Sequence, residues 1–274
     1  MNIRNSTYNF QNVTNGAEAE LLRLQEQAQM GWAKEFRTLK QFGLEDGMKV
    51  LEAGAGPGFV TDLLLEHLPH SEITALDIDD ALLDEARSRL SRFPQSRLKF
   101  SHASVYETGL PDNYYDFVVA RLIFLHLHNP LQAALELQRV LKPGGKLVII
   151  DVDDGVFGAV TPEMEALPGI LRKLAQQQAA RGGNRHIGRS LPRLLSDSGY
   201  ADVDMEAALQ HSDLHGMEGF KRQFDINRFS GFYKKGIITE QEYEDINTSY
   251  TAFDRSPDAH AMMLFFMACG TKTV

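Results

Sequence analysis

The 274-residue sequence holds one cysteine and one tryptophan, and it is short of basic residues relative to acids. A single cysteine, Cys269, excludes a disulfide within the chain and any cysteine-built metal site; inside the apolar run 262–269 it reads as a small buried hydrophobe, not a nucleophile. Lys and Arg total 28 against 37 Asp and Glu, a net charge of −9, so the broad basic surface that nucleic-acid binding needs is missing and no nucleic-acid partner is expected. No apolar run reaches the ~20 residues of a membrane span. The start of the chain has no basic-then-apolar signal, so a soluble, cytoplasmic protein is expected, with no membrane partner. His67 with His70, and His126 with His128, lack a third suitable ligand nearby, and no metal is expected. The Asn-x-Ser/Thr triplets at Asn5, Asn12 and Asn247 matter only in a secreted chain and are read as chance. Repeats and low-complexity tracts are absent.

What is present is a glycine turn at the end of an apolar strand. Val50-Leu51-Glu52-Ala53-Gly54-Ala55-Gly56-Pro57-Gly58 sets three glycines at alternate positions with a carboxylate just inside. Glycine takes positive φ without strain and carries no Cβ, so a nucleotide-like ligand can lie against bare backbone N–H groups. Nineteen residues beyond Gly58, the run Ile73-Thr74-Ala75-Leu76 ends in Asp77. A carboxylate at the tip of the neighbouring strand suits a ribose diol, because it can accept two hydroxyl bonds side by side. A dinucleotide site wants Gly-x-Gly-x-x-Gly, which would require glycine at Phe59.

The Glu-x-Gly-x-Gly-x-Gly spacing resembles the first motif of class I S-adenosylmethionine-dependent methyltransferases. Leu110-Pro111, followed by Tyr115-Asp116-Phe117-Val118-Val119, resembles that family's entry into the fourth strand. Leu137 to Ile150 resembles its helix, Lys142-Pro143-Gly144-Gly145 turn and fifth strand. Proline cannot continue a helix and the glycines can cap it, so local chemistry agrees. The resemblance covers residues 48–152.

Strands are expected near 49–53, 72–77, 97–101, 115–121 and 145–151, alternating with helices near 58–68, 80–93 and 129–142. That alternation implies a doubly wound α/β sheet with right-handed crossovers. Further helices are expected at 162–181 and 189–198, and strands at 203–209 and 262–269, which the resemblance pairs antiparallel. The expectation is thus a Rossmann-like seven-stranded sheet, mostly parallel with an antiparallel last strand, plus a helical cap. Residues 1–43 form an arm and helix acting as a lid, 44–213 with 259–274 the core, and 214–258 a helical cap insertion. The insertion is far longer than ordinary loops. Its aromatics, Phe220, Phe224, Phe229, Phe232, Tyr233, Tyr243, Tyr250 and Phe253, either cover the ligand or bury the insertion against the core.

The resemblance implies S-adenosyl-L-methionine as cofactor. Carried over by position, Glu52, Ala53, Gly54, Gly56 and Gly58 shape its pocket, Asp77 takes the ribose hydroxyls and Ile78 lies against the adenine. Glu52 meets a bound water or the cofactor ammonium. The family's adenine-binding aspartate aligns with Ser104, whose hydroxyl accepts without the help of charge, and the Val105 N–H is the second contact. Arg121 meets the cofactor carboxylate or forms a structural ion pair. Tyr8, Phe10, Gln27 and Trp32 belong to the lid, with Tyr8 and Gln27 at the cofactor. His126, just past the fourth strand, is the candidate general base; the alternative is a histidine that only bonds a carbonyl or lines the pocket. The function implied is methyl transfer to an O, N or C nucleophile of a small-molecule, natural-product-like acceptor, with quinone methylation a narrower form. A protein that binds the cofactor without methyl transfer, as a regulatory module or rearrangement catalyst, is the alternative. A nicotinamide oxidoreductase is disfavoured by Phe59.

Overall fold

Short apolar runs that bury both of their faces form the middle of the molecule. In the computed structural model, which describes residues 6–8, 10, 16–156, 158–223 and 226–273, β1 (Lys49–Ala53) lies parallel to β2 (Glu72–Asp77) on one side and β4 (Tyr115–Arg121) on the other. β3 (Leu98–His102) extends the sheet beyond β2, and β5 (Leu141–Asp151) beyond β4. Val50, Leu51, Val118, Val119, Leu147 and Ile149 are wholly buried, as parallel strands are when helices cover both faces. Those helices are α2 (Phe59–His67), α3 (Asp80–Arg89) and α4 (Pro130–Val140). Asp79 caps α3 by accepting from the Ala81 N–H, and Asn129 caps α4 at Gln132. Pro130 stands in the first turn of α4, where its missing N–H goes unused.

Beyond β5 come β6 (Gly158–Thr161), α5 (Leu167–Ala180), α6 (Leu191–Asp197), β7 (Tyr200–His211) and, after an insertion, β8 (His260–Lys272). β8 runs antiparallel between β5 and β7, with Ala268 opposite both Ile149 and Met205. The order β3-β2-β1-β4-β5-β8, with β7 outside β8, is the doubly wound sheet expected. Among the described residues the sheet has eight strands, one more than the seven expected, the addition being β6, which pairs Val160 with Ala261. Its four residues are largely exposed and alternate no apolar side, so no pattern announces it. Among the described residues no helix is long and apolar enough to cross a membrane.

The insertion between β7 and β8 folds as α7 (Ser212–His215), α8 (Glu218–Gln223), α9 (Ile226–Lys234) and α10 (Glu240–Arg255), the last opened by a reciprocal Thr239–Glu242 capping box. Phe220, Ile246 and Phe253 are fully buried and Phe229 nearly so, while Tyr233 stacks on Tyr243 at 5.4 Å between ring centres. Phe224 lies outside the described residues. Most of these aromatics therefore hold the insertion together.

The amino-terminal helix α1 (Ala17–Gln41) packs on α2, β7 and α8. A buried ion pair ties it to β4. Arg121, at the tip of β4, places its guanidinium on both Glu35 carboxylate oxygens at 2.7 and 2.9 Å and donates to the Gln27 carbonyl at 3.1 Å. The two side chains retain 7% and 1% of their accessible surface. Gly31, one turn before Glu35, is needed for this: a methyl group there would overlap the Glu35 carboxylate.

Removing one partner of a desolvated pair strands the other charge. Glu35→Ala should therefore cost about 3–5 kcal/mol in denaturant unfolding, and Glu35→Leu with Arg121→Met should recover most of it. A single-variant loss under about 1 kcal/mol, the range of exposed pairs, would mean that water reaches this one.

Candidate functional site

The carboxyl ends of β1, β2, β4 and β5 meet along one edge, where ligands of open α/β sheets bind. A cavity of about 470 Å³ opens there, within the size range of small-molecule sites. The glycine turn forms its floor. Gly54 and Ala55 both donate to the Leu76 carbonyl, at 2.8 and 2.9 Å, which folds the turn against the end of β2. Gly56 has φ +54° and donates to Asp77 Oδ2 at 2.7 Å, and a Cβ built on it would touch no atom. Its bare face looks into open space. Gly58 plays another part: a Cβ there would press on Ala86 at 2.9 Å and Leu90 at 3.0 Å, so its glycine lets α2 approach α3. Ala53 is buried within β1. Of the motif, Glu52, Gly54 and Gly56 line the cavity, whereas Ala53 and Gly58 lie behind its wall.

Two carboxyls face this end. Glu52 is buried and accepts from the Thr61 hydroxyl at 2.5 Å; burial pushes its pKa up to about 8, against the pull of Thr61 and Arg121. Burial also holds Asp77 above the usual carboxylate range, opposed by its backbone bonds. Asp77 accepts from the Gly56 N–H and, at 2.9 Å, from the Asp79 N–H, one on each oxygen. The Ile78 N–H lies close as well, and the lone pairs that these three backbone groups leave are open to the cavity. Ile78, Leu82, Ser104 and Val105 continue the wall. The Ser104 hydroxyl accepts from the Tyr106 N–H at 3.2 Å, leaving its proton and one lone pair to a ligand.

The far end is built on the turn after β4. Leu122, with φ +56°, holds a conformation unusual for a bulky side chain, and reverses the chain toward a short helical turn, Phe124–His126. Asp151, at the end of β5, fixes that turn by accepting from the Leu125 N–H at 3.0 Å; burial pushes its pKa up to about 7. His126 Nδ1 lies 2.9 Å from the Thr7 hydroxyl and 3.4 Å from Gln178 Nε2, which also donates to the Leu125 carbonyl at 2.6 Å. With an amide NH₂ and a hydroxyl aimed at Nδ1, the ring carries its proton on Nε2. Withdrawal from water pushes its pKa down to about 3, helped by the Arg185, Arg181 and Arg23 guanidiniums.

The amino-terminal segment closes this end. Ser6 bridges to Leu127, and Thr7 donates its N–H to the His126 carbonyl at 2.9 Å. Tyr8 packs against the His126 ring at 5.4 Å between centres and donates to Glu20, which holds Arg23 in a two-pronged pair. Tyr8 and Gln27 line the cavity, and Arg121 reaches it while already paired. Trp32, assigned to the lid from sequence, instead stacks on Phe36 and approaches His67 of α2. Glu35, Asp151, Gln178 and the arginines 23, 181 and 185 were missed. Asp151 carried a signal, an acid ending the apolar run of β5 just as Asp77 ends β2; the others are brought in by long-range contacts no local pattern marks.

Residues 51–149 match the family model described as a methyltransferase domain. An uncharacterized methyltransferase of Schizosaccharomyces pombe is 29% identical over 168 residues, 58% of this chain and 59% of that protein. A malonyl-[acyl-carrier protein] O-methyltransferase of a Paenibacillus species is 34% identical over 111 residues, 40% of each. The chain thus spans about half the length of the curated relatives it matches. Phosphoethanolamine N-methyltransferase 2 of Haemonchus contortus, solved with S-adenosyl-L-methionine, superposes over 89% of this chain and 53% of its own with a TM-score of 0.57 and 18% identity, a likeness of fold. The site fits that cofactor: spare acceptor positions on Asp77 for a diol, an open backbone face at Gly56, an apolar wall for a base, and a buried acid for an ammonium. Over residues 51–149 the chain is thus similar to methyltransferase domains, in a fold shared with S-adenosylmethionine-binding structures.

Proposed function

We propose that the chain transfers a methyl group from S-adenosylmethionine to an oxygen, nitrogen or carbon of a small-molecule acceptor. The observation that carries this reading is one cavity with two unlike ends, the acid-and-glycine end of β1 and β2 and the His126 end beneath the amino-terminal segment. The malonyl-[acyl-carrier protein] relative, named for O-methylation, supports a non-nucleic-acid acceptor.

When bound, S-adenosylmethionine supplies an electrophilic methyl group. The chain's own residues bind, align and exclude water. Asp77 holds the ribose hydroxyls, Glu52 faces the amino-acid end, and Ile78 with Val105 encloses the base. Tyr8 and the strand-like segment Ser6–Thr7 shut the far end from solvent, where removal of water strengthens every polar contact. Alignment of the acceptor supplies much of the barrier reduction.

His126 acts in this scheme as a positioning group, which revises the general-base role expected from sequence. A base is most effective with a pKa near the working pH, and this imidazole lies far below it. As a neutral ring it offers its Nε2–H to an acceptor oxygen.

Calorimetry should show S-adenosylmethionine and S-adenosylhomocysteine binding and NAD failing to bind. Asp77→Ala should weaken the cofactor by about 1.5–3 kcal/mol, the worth of hydrogen bonds to a charged group. Gly56→Val should weaken it further, by filling the bare face and by strain at positive φ. Formation of S-adenosylhomocysteine with an acceptor panel supports transfer; binding without turnover favours a non-methylating binder or rearrangement catalyst.

Nitrogen-15 NMR of the His126 ring should report a neutral, Nε2-protonated imidazole from about pH 5 to 8. Its folded-state pKa lies below the free value, so its share of stability is whole above about pH 6.5 and is lost as pH falls toward 3. A ring that titrates between pH 6 and 7 would restore the general base.

A further inference from the structure

The cavity is more basic than the chain around it. Although acids outnumber bases by 37 to 28 overall, its described lining includes Arg23, Arg121, Arg181, Arg185 and Lys235 against Glu20, Glu52 and Asp77. Most of these have partners. Arg23 is held by Glu20, Arg121 by Glu35 and Arg185 by Asp154. Arg181 and Lys235 have no carboxylate within ion-pair distance among the described residues. Two uncompensated cations thus face one cavity.

Arg181 stands by the His126 turn, and Lys235 reaches the same cavity from the end of α9. Arg181 caps the carboxyl end of α5; Gln178 in the last turn of that helix and Asn184 in the loop after it both donate to the Leu125 carbonyl and so tie this end to the His126 turn. The nearness of Arg181 to His126 is felt in the depressed basicity of that ring. Lys235 extends α9, its N–H bonded to the Gly231 carbonyl, three residues beyond Phe232, so that one helical face offers the cavity a ring and then an ammonium. Met263 and Phe265 of β8 add further apolar lining. Apolar wall and unpaired cations are complementary to a molecule with an apolar body and a negative head.

We propose that the acceptor is an amphiphile with a carboxylate or phosphate head, the head held by Arg181 and Lys235 and the body laid on Phe232, Met263 and Phe265. Calling this ligand the acceptor rests on the methyl-transfer reading; the anion site itself does not. An anion also offsets the field of the arginines around His126, whose neutral ring adds no charge of its own.

The test is equilibrium binding of octanoate, octyl phosphate and octanol to the full chain saturated with S-adenosylhomocysteine, beside Arg181→Gln/Lys235→Gln. Both residues are exposed, and an unchanged thermal midpoint checks that the variant folds. At least one anion should bind about tenfold or more tighter than octanol, weaken with added salt, and lose that advantage in the double variant while affinity for S-adenosylhomocysteine stays within about twofold. Which anion binds tighter distinguishes a carboxylate from a phosphate head. Equal binding of anions and octanol, binding of none, or an advantage kept in the variant overturns the proposal. A parallel loss of S-adenosylhomocysteine affinity also overturns it, assigning the cations to the cofactor carboxylate. Should S-adenosylhomocysteine itself fail to bind the native chain, the methyl-transfer reading falls separately, and the octanoate comparison still decides the anion site.

Discussion

The buried pair between Arg121 and Glu35 is the contact on which the rest of the site depends. Strand β4 ends at the cavity, and a guanidinium there would ordinarily reach into solvent or toward a bound anion. Glu35 takes it instead, and the Gln27 carbonyl takes a further N–H. Such a pair is costly to desolvate and is justified by geometry more than by energy. What it fixes is the position of α1, and with α1 come Glu20, Arg23, Leu24 and Gln27, all cavity-lining. Gly31 is part of the same device: a residue of poor helix propensity is tolerated in mid-helix because the carboxylate occupies the place of a side chain.

From that anchor the cavity acquires its polarity. The β1–β2 end presents Glu52 and Asp77, both with pKa values raised by burial. The folded chain therefore holds a proton on Glu52 that the unfolded chain would release. This contribution to stability is full below about pH 4.5 and disappears as pH rises through 8. His126 works in the opposite sense at the other end, where burial, helped by the nearby guanidiniums, keeps the ring neutral. A positively charged ligand group is favoured at one end and a negative one at the other, an arrangement suited to holding two different molecules in a fixed mutual orientation.

The parts legible in the sequence are those written in local patterns. The glycine turn, Asp77 at the tip of β2 and the alternation of strands and helices depend on residues a few positions apart, and each has a conformational reason. What stayed hidden depends on contacts across the chain. Glu35 lies 86 residues from Arg121, and no pattern in α1 distinguishes it from the other acids there. Arg181 and Lys235 became visible only once the ends of α5 and α9 had been placed on the wall of one cavity. Gly58 belonged to the right motif for a different reason, helix packing, and Trp32 was one helical face away from the lid assigned to it. β6 carries no alternation to read.

The pair at the tip of β4 thus shapes a cavity already complementary to the cofactor. A crystal structure of the chain with S-adenosylhomocysteine tests it most directly. It should place the ribose hydroxyls on Asp77, the amino-acid end beside Glu52 and the glycine turn, and Arg121 still on Glu35. A nucleoside bound elsewhere, or an Arg121 released from Glu35 to reach the ligand carboxylate, would contradict it.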